Sequence, residues 1–157
     1  MIHIVTGKIN SGKSTRMLAL YQQLKTGDGF LSIKRMHYDK VHGYDIMKLS
    51  TQETKPIVIR EEFIRKDLDI LCQIGPYLFL KETVDFVSKS IQKMIDEHVY
   101  PVFLDEIGQL ELNDLCFHPI VQKMVEGDIE SYISVKEDLV EQVIQKYQIE
   151  DYEIIRK

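Results

Sequence analysis

Gly7-Lys8-Ile9-Asn10-Ser11-Gly12-Lys13-Ser14 is the stretch whose reading decides the fold. It matches G-x-x-x-x-G-K-[ST] in full, the pattern of a loop whose backbone cradles phosphate groups. Residues 2–6 before it read Ile-His-Ile-Val-Thr, a short β-branched run that predicts a buried strand. Residues 13–24 after it carry Met17, Leu18, Leu20, Tyr21 and Leu24 at helical spacing, and the turn residues of 25–29 close that helix. Strand, glycine loop and helix together form the context the motif requires.

Each loop residue has a physical task. Gly7 permits a sharp exit from the strand, and Gly12 lets the backbone approach an anion with no Cβ in the way. Successive N–H groups of Lys8, Ile9, Asn10, Ser11 and Gly12 form a concave anion nest, and the helix start adds unpaired donors and partial positive charge. Lys13 brings a full charge to the β- and γ-phosphates of a nucleoside triphosphate. Ser14 offers its hydroxyl to Mg²⁺, and Thr15 reaches the α-phosphate. A plain glycine turn capped by Ser11 explains neither Lys13 nor Ser14.

Farther along, residues 101–104 read Pro-Val-Phe-Leu and run into Asp105-Glu106. In a parallel sheet the carboxyl ends of strands line the ligand crevice. Asp105 is therefore expected to hold Mg²⁺, directly or through water, and Glu106 to orient and deprotonate an attacking water. A strand ending in two acids is usually a solvated edge. The complete phosphate loop is what makes the catalytic reading the better one here.

The rest of the chain alternates strand and helix. Strands are predicted at 30–36, 43–49, 56–59, 77–80, 129–135 and 152–155, and helices at 82–97, 119–125 and 137–147. That order predicts an α/β fold with a mainly parallel central sheet and flanking helices, and antiparallel pairs within 30–80. Residues 61–69 are charged and ambiguous. At 157 residues the chain is expected to form a single domain, 1–157. A hydrophobic fraction of 44% with 29% charged residues is ordinary for a soluble globular protein, and no apolar run approaches a membrane span. A formal net charge of −5 argues against nucleic acid held by bulk electrostatics, although one phosphate tail needs only a local positive site. Cys72 and Cys116 stand in no metal-ligand spacing and read as reduced, packed thiols, and no leader precedes the first strand, so a cytoplasmic location is expected.

The loop, Gly29-Phe30, and Asp105-Glu106-Ile107-Gly108-Gln109-Leu110-Glu111-Leu112 together resemble the small P-loop nucleoside-triphosphatases, the group called cancer-related nucleoside-triphosphatase in vertebrates, with thermostable prokaryotic members. The family's usual acidic motif is D-E-I-G-x-M-E-L, and Leu110 stands here for its Met. Ser32-Ile33-Lys34-Arg35 followed by His42-Gly43-Tyr44 is similar to its E-V-R and G-x-R-x-G-F stretches, and Ile74-Gly75-Pro76-Tyr77 to its V-G-x-Y. Family loops often read G-x-P-G-x-G-K-T-T, so Lys8-Ile9-Asn10-Ser11 is a departure, and 37–42 matches poorly. The resemblance implies a RecA-like α/β P-loop fold and slow hydrolysis of ATP, GTP and other nucleoside triphosphates, with Lys13, Ser14, Asp105 and Glu106 carried over.

Arg35, after a predicted strand, is a candidate to stabilise charge on the γ-phosphate, with a surface ion pair as the equal alternative. Gly108 is expected to permit the turn after the acidic pair, and Glu111 reads as structural. Phe30 and Tyr44 are candidates to stack on a base, with core packing the better reading for aromatics in strands. Lys136 and Asp138, after a late strand, are placed near a base by position alone. His37, His42, His98 and His118 form no triad or metal set. Two other functions share the loop: a nucleotide or small-molecule kinase, which needs an acceptor pocket, and a regulatory switch with little turnover. No N-K-x-D base reader is present, and the sequence assigns neither protein partner nor oligomer.

Overall fold

The computed structural model describes residues 1–8, 11–65 and 67–156. The apolar run at the N-terminus forms β1 (Ile2–Gly7), buried throughout, and the amphipathic segment after the loop forms α1 (Lys13–Leu24), with the predicted bounds. Strands β2 (Asp28–His37), β3 (Lys40–Lys48) and β4 (Thr54–Arg60) follow, then a 3₁₀ turn over Glu61–Phe63. β5 (Ile70–Ile74) and β6 (Tyr77–Leu80) form a hairpin that leads into α2 (Lys81–Asp96). β7 (Val102–Ile107), α3 (Gln109–Leu112), α4 (His118–Glu126), β8 (Ser131–Lys136), α5 (Val140–Tyr147) and β9 (Tyr152–Arg156) complete the chain.

All nine strands join one sheet in the order β5-β6-β4-β3-β2-β7-β8-β1-β9. From β2 to β9 neighbours run parallel, and from β2 to β5 they run antiparallel. The expected α/β sheet with antiparallel pairs within 30–80 is found, but four of the eight pairings among the described residues are antiparallel, so the sheet is mixed rather than mainly parallel. β5 and α3 were not anticipated. Ile70-Leu71-Cys72-Gln73-Ile74 follows a charged run without period-two alternation, and it sits at the sheet edge with a register shift.

Alternation along each strand divides the core. Val5, Leu31, Phe103 and Tyr132 face the side covered by α1, against Met17. Ile4, Phe30, Leu104 and Ile133 face the side covered by α2, α4 and α5, against Val87, Val121 and Val143. Phe30 is thus core, as predicted. The β2–β7 junction needs Gly29, because a Cβ there would lie 2.0 Å from the Phe103 carbonyl oxygen.

Candidate active site

The phosphate loop leaves β1 at Gly7 and re-enters helix at Gly12, whose φ of 88° lies in the left-handed region that glycine tolerates. Ser11 N–H donates to Lys8 O at 3.1 Å, and Lys13 Nζ donates to the same oxygen at 3.2 Å, so the lysine folds over the loop. The first helical hydrogen bond runs from Arg16 N to Gly12 O, no side chain caps α1, and its first turn holds no acid. Among the described residues, the N–H groups of Gly12, Lys13, Ser14 and Thr15 have no acceptor, so they and the positive end of the helix can face an anion. Ile9 and Asn10, two of the expected phosphate contacts, lie outside the described residues.

β8 lies between β1 and β7, so the acidic pair sits one strand away from the loop. The gap is bridged by side chains. Ser14 Oγ donates to Asp105 Oδ2 at 2.5 Å, the Ser32 amide donates to that oxygen at 3.0 Å, and Ser134 Oγ on β8 donates to Asp105 Oδ1. Asp105 is buried, 1% exposed, and its carboxylate is fixed from β7, β8, β2 and α1 at once. A hydroxyl and a carboxylate presented together are the hard oxygen donors that Mg²⁺ takes, and the ion ordinarily needs only one or two protein ligands beside substrate phosphates and waters. Ser14 and Asp105 fit it.

Glu106 adopts φ 64°, the left-handed region that costs a non-glycine residue roughly 1–2 kcal/mol. Its N–H donates to Ser134 Oγ at 2.7 Å. The strained backbone of this turn thus falls on Glu106. Gly108, expected to permit the turn, has negative φ, and a Cβ there would meet only Leu139 Cδ1 at 3.7 Å. Glu106 reaches solvent, yet the surrounding protein and the nearby Asp105 charge push its pKa from 4.5 up to about 7, against the pull of Lys13, Lys34 and the Ser32 hydroxyl. A carboxylate poised near neutrality suits a general base.

Sequence reasoning missed two contributors. Ser134 holds the Asp105 carboxylate and the Glu106 amide, and could be suspected only once β8 is known to lie beside β7. Lys34 acts on Glu106 and shares a ribbon face with Ser32, by the cross-strand pairs Ser32–Ile46 and Lys34–Tyr44. Arg35 points to the opposite face of that ribbon, the α1 side, where its Nη1 lies 3.4 Å from Asp45 Oδ1. Glu111 is structural, as read: its carboxylate accepts from Gly108 N at 2.8 Å and Phe117 N at 3.1 Å, and burial raises its pKa. Cys72 and Cys116 are both free, and burial first, then Glu111, pushes the Cys116 thiol up.

Two cavities flank this centre. One of about 340 Å³ joins Gly7 and Lys8 to Lys136, Glu137 and Asp138, the position expected for a base. The other, about 310 Å³, opens past Glu106 between the end of β7 and the antiparallel strands. Tyr44 lines this second cavity, half-buried, and is not wholly core as predicted.

A glycine loop between strand and helix, an acid strand one position away and a single α/β sheet define a P-loop nucleotide-hydrolase fold. The chain belongs to the NTPase family, whose model matches residues 2–156. It is 25% identical over 134 residues to the nucleoside-triphosphatase THEP1 of Thermotoga maritima, covering 85% of this chain and 72% of that one. The same identity and coverage relate it to THEP1 of Thermotoga sp. strain RQ2. Its fold is similar to the crystal structure of THEP1 from Aquifex aeolicus, with TM-score 0.71 and 16% identity over 99% of this chain and 89% of that one. It is also similar to the solution structure of a human cancer-related nucleoside triphosphatase, with TM-score 0.68 and 18% identity over 98% and 86%.

Proposed function

We propose that the chain binds a nucleoside triphosphate, ATP or GTP, with Mg²⁺ at residues 7–15 and hydrolyses it to the diphosphate and phosphate by attack of water on the γ-phosphate. The observation that carries this reading is that Asp105 accepts from Ser14 at the loop and from Ser134 on the intervening strand, and Ser134 in turn accepts from the Glu106 amide. Backbone N–H groups of Lys8, Gly12, Lys13 and Ser14 hold the phosphate tail, Ser11 N–H turns to it from the Lys8 carbonyl, and Ile9 and Asn10 complete the loop in the motif. Lys13 leaves the Lys8 carbonyl for the β- and γ-phosphates, exchanging a neutral acceptor for a charged one. Thr15 contacts the α-phosphate. Ser14 and Asp105 hold Mg²⁺, which when bound neutralises charge on the β- and γ-oxygens. Glu106 orients the water and takes its proton.

Arg35 keeps its proposed role at the γ-phosphate. It is on the α1 side and half exposed, and an ion pair as open as that with Asp45 is worth about 0.2–1 kcal/mol, little enough for a triphosphate to displace. No described helix is long and apolar enough to cross a membrane, and the free thiols support a cytoplasmic location. The test is phosphate release from a panel of nucleoside triphosphates, with Mg²⁺ and with EDTA. Release that needs Mg²⁺ and no acceptor supports the hydrolase. Tight binding with negligible turnover would make the chain a switch.

A further inference from the structure

The cavity past Glu106 is much larger than hydrolysis needs. A water takes about 30 Å³ of liquid volume, whereas this space is about 310 Å³, at the small end of ligand pockets at about 300–1,000 Å³. Its walls are apolar and aromatic, formed by Ile57, Tyr77 and Phe79 from the antiparallel strands and Phe117 from the turn before α4. One end is polar, where Ser32, Asp105 and Glu106 line it, and that same Asp105 bonds Ser14 at the start of α1. A separate cavity beside Gly7, Lys8 and Lys136 lies on the other flank of the loop, where the position of Lys136 and Asp138 after β8 leads us to expect the nucleotide base. The second cavity is therefore left for a different molecule, held with its polar end toward the γ-phosphate.

The lining also restricts that molecule's charge. Among the described residues that line it there is no lysine or arginine, while Asp105, Glu106 and Glu111 are present. Lys13 and Lys34 act on Glu106 from beside the cavity but do not line it, so an anionic compound would have to pass the three acids without a direct cationic partner in the lining. A neutral or cationic compound, with an aromatic body and one hydroxyl, matches both walls and end.

We propose that the cavity past Glu106 binds a small neutral or cationic aromatic alcohol as phosphate acceptor, making the chain a phosphotransferase whose hydrolysis is the reaction with water when that site is empty. The proposal rests on triphosphate binding at the loop. The acceptor hydroxyl oxygen forms a bond to the γ-phosphorus, and the bond from that phosphorus to the β–γ bridging oxygen breaks. The bridging oxygen keeps the electron pair as the diphosphate leaves. The hydroxyl proton passes to the Glu106 carboxylate and then to solvent. The products are a nucleoside diphosphate and a phosphate monoester of the acceptor's hydroxyl, alkyl or phenolic, with nothing oxidised or reduced.

The test separates the two readings. Calorimetric titration with a non-hydrolysable Mg–ATP analogue measures the loop alone. Saturation-transfer NMR with 2-phenylethanol, 4-hydroxybenzyl alcohol and tyramine measures the cavity, with phenyl phosphate as the anionic control. Phosphorus NMR during ATP turnover then distinguishes monoester from inorganic phosphate. The expected result is binding of the alcohols, exclusion of phenyl phosphate, and monoester formed at the expense of free phosphate. Leu110→Trp, which narrows the cavity, and Tyr77→Ala, which opens its wall, should each lower the ester-to-phosphate ratio by about tenfold, the effect of about 1.4 kcal/mol of lost acceptor binding. Analogue binding and phosphate release with no alcohol bound or phosphorylated would overturn the acceptor site and leave the hydrolase standing. Failure of the analogue to bind would overturn the loop reading, and this one with it.

Discussion

Replacing Glu106 by Gln should trade activity for stability, and the exchange should depend on pH. The side chain keeps its size but can no longer take a proton, so turnover should fall by about 10²–10⁴, the usual contribution of a general base, while nucleotide binding is retained. The stability effect follows from the raised pKa. Between 4.5 and about 7 the folded protein binds a proton at Glu106 that the unfolded chain releases, so wild-type stability declines as pH rises through that window. The displacement corresponds to about 3 kcal/mol at roughly 1.4 kcal/mol per pH unit. Because Glu106 reaches solvent, screening leaves about 1 kcal/mol of it. Gln carries no charge at any pH and escapes this loss. The variant should therefore gain about 1 kcal/mol at pH 8, read as a rise of roughly 2–4 °C in Tm for a chain of this size, and nothing at pH 4.5. Wild-type turnover should rise with pH and level off above about 7, and the variant's residual rate should lack that rise. Thermal melts at pH 4.5 and 8, with phosphate-release profiles over the same range, measure both. A variant with unimpaired turnover would refute the base assignment, and equal Tm differences at the two pH values would refute the electrostatic argument.

Lys13→Ala should weaken triphosphate binding roughly 10–100-fold, by loss of charge-assisted bonds of about 1.5–3 kcal/mol, measured by titration calorimetry. Ser134→Ala removes the hydroxyl shared by Asp105 and the Glu106 amide, and should cost about 1–3 kcal/mol in urea denaturation and weaken Mg²⁺-dependent binding as well. Gly29→Ala, whose Cβ would meet the Phe103 carbonyl at 2.0 Å, should cost more than about 3 kcal/mol or prevent soluble expression. Arg35→Ala should slow turnover by about tenfold or more without changing Tm, because only the open pair with Asp45 is lost; an unchanged kcat would remove Arg35 from the mechanism.

Local chemistry made most of the site legible in the sequence. The loop at 7–14 and α1 after it are contiguous, so one stretch specifies both ligand and bounds. Asp105-Glu106 could be read because an apolar run ends on them. The contacts that make these pieces a site are long-range. Ser134 is 29 residues from Asp105 and an unremarkable serine in its own strand; its role depends on β8 lying between β1 and β7. The division of labour between Lys34 and Arg35 rests on which face of the β2–β3 ribbon each occupies, and a shift of one residue in register would exchange them. The turn after the acidic pair reads onto Gly108 in the sequence, since glycine ordinarily signals a turn, whereas the left-handed residue is Glu106.

The join at β2 has an evolutionary consequence. β2 meets β7 through only Asp28, Gly29 and Phe30, and beyond that point it belongs to the antiparallel wing. Lys13, Ser14, Asp105, Glu106 and Ser134, proposed to handle phosphate, lie on the parallel side, whereas Tyr44, Ile57, Tyr77 and Phe79 on the wing wall the second cavity. Mutations can accumulate in the outer wing strands β3 to β6, reshaping what that cavity admits, while Ser32, Lys34 and Arg35 on β2 stay tied to the acidic pair and the loop. A lineage with this architecture can diversify its clientele while its loop and acid motif stay nearly constant.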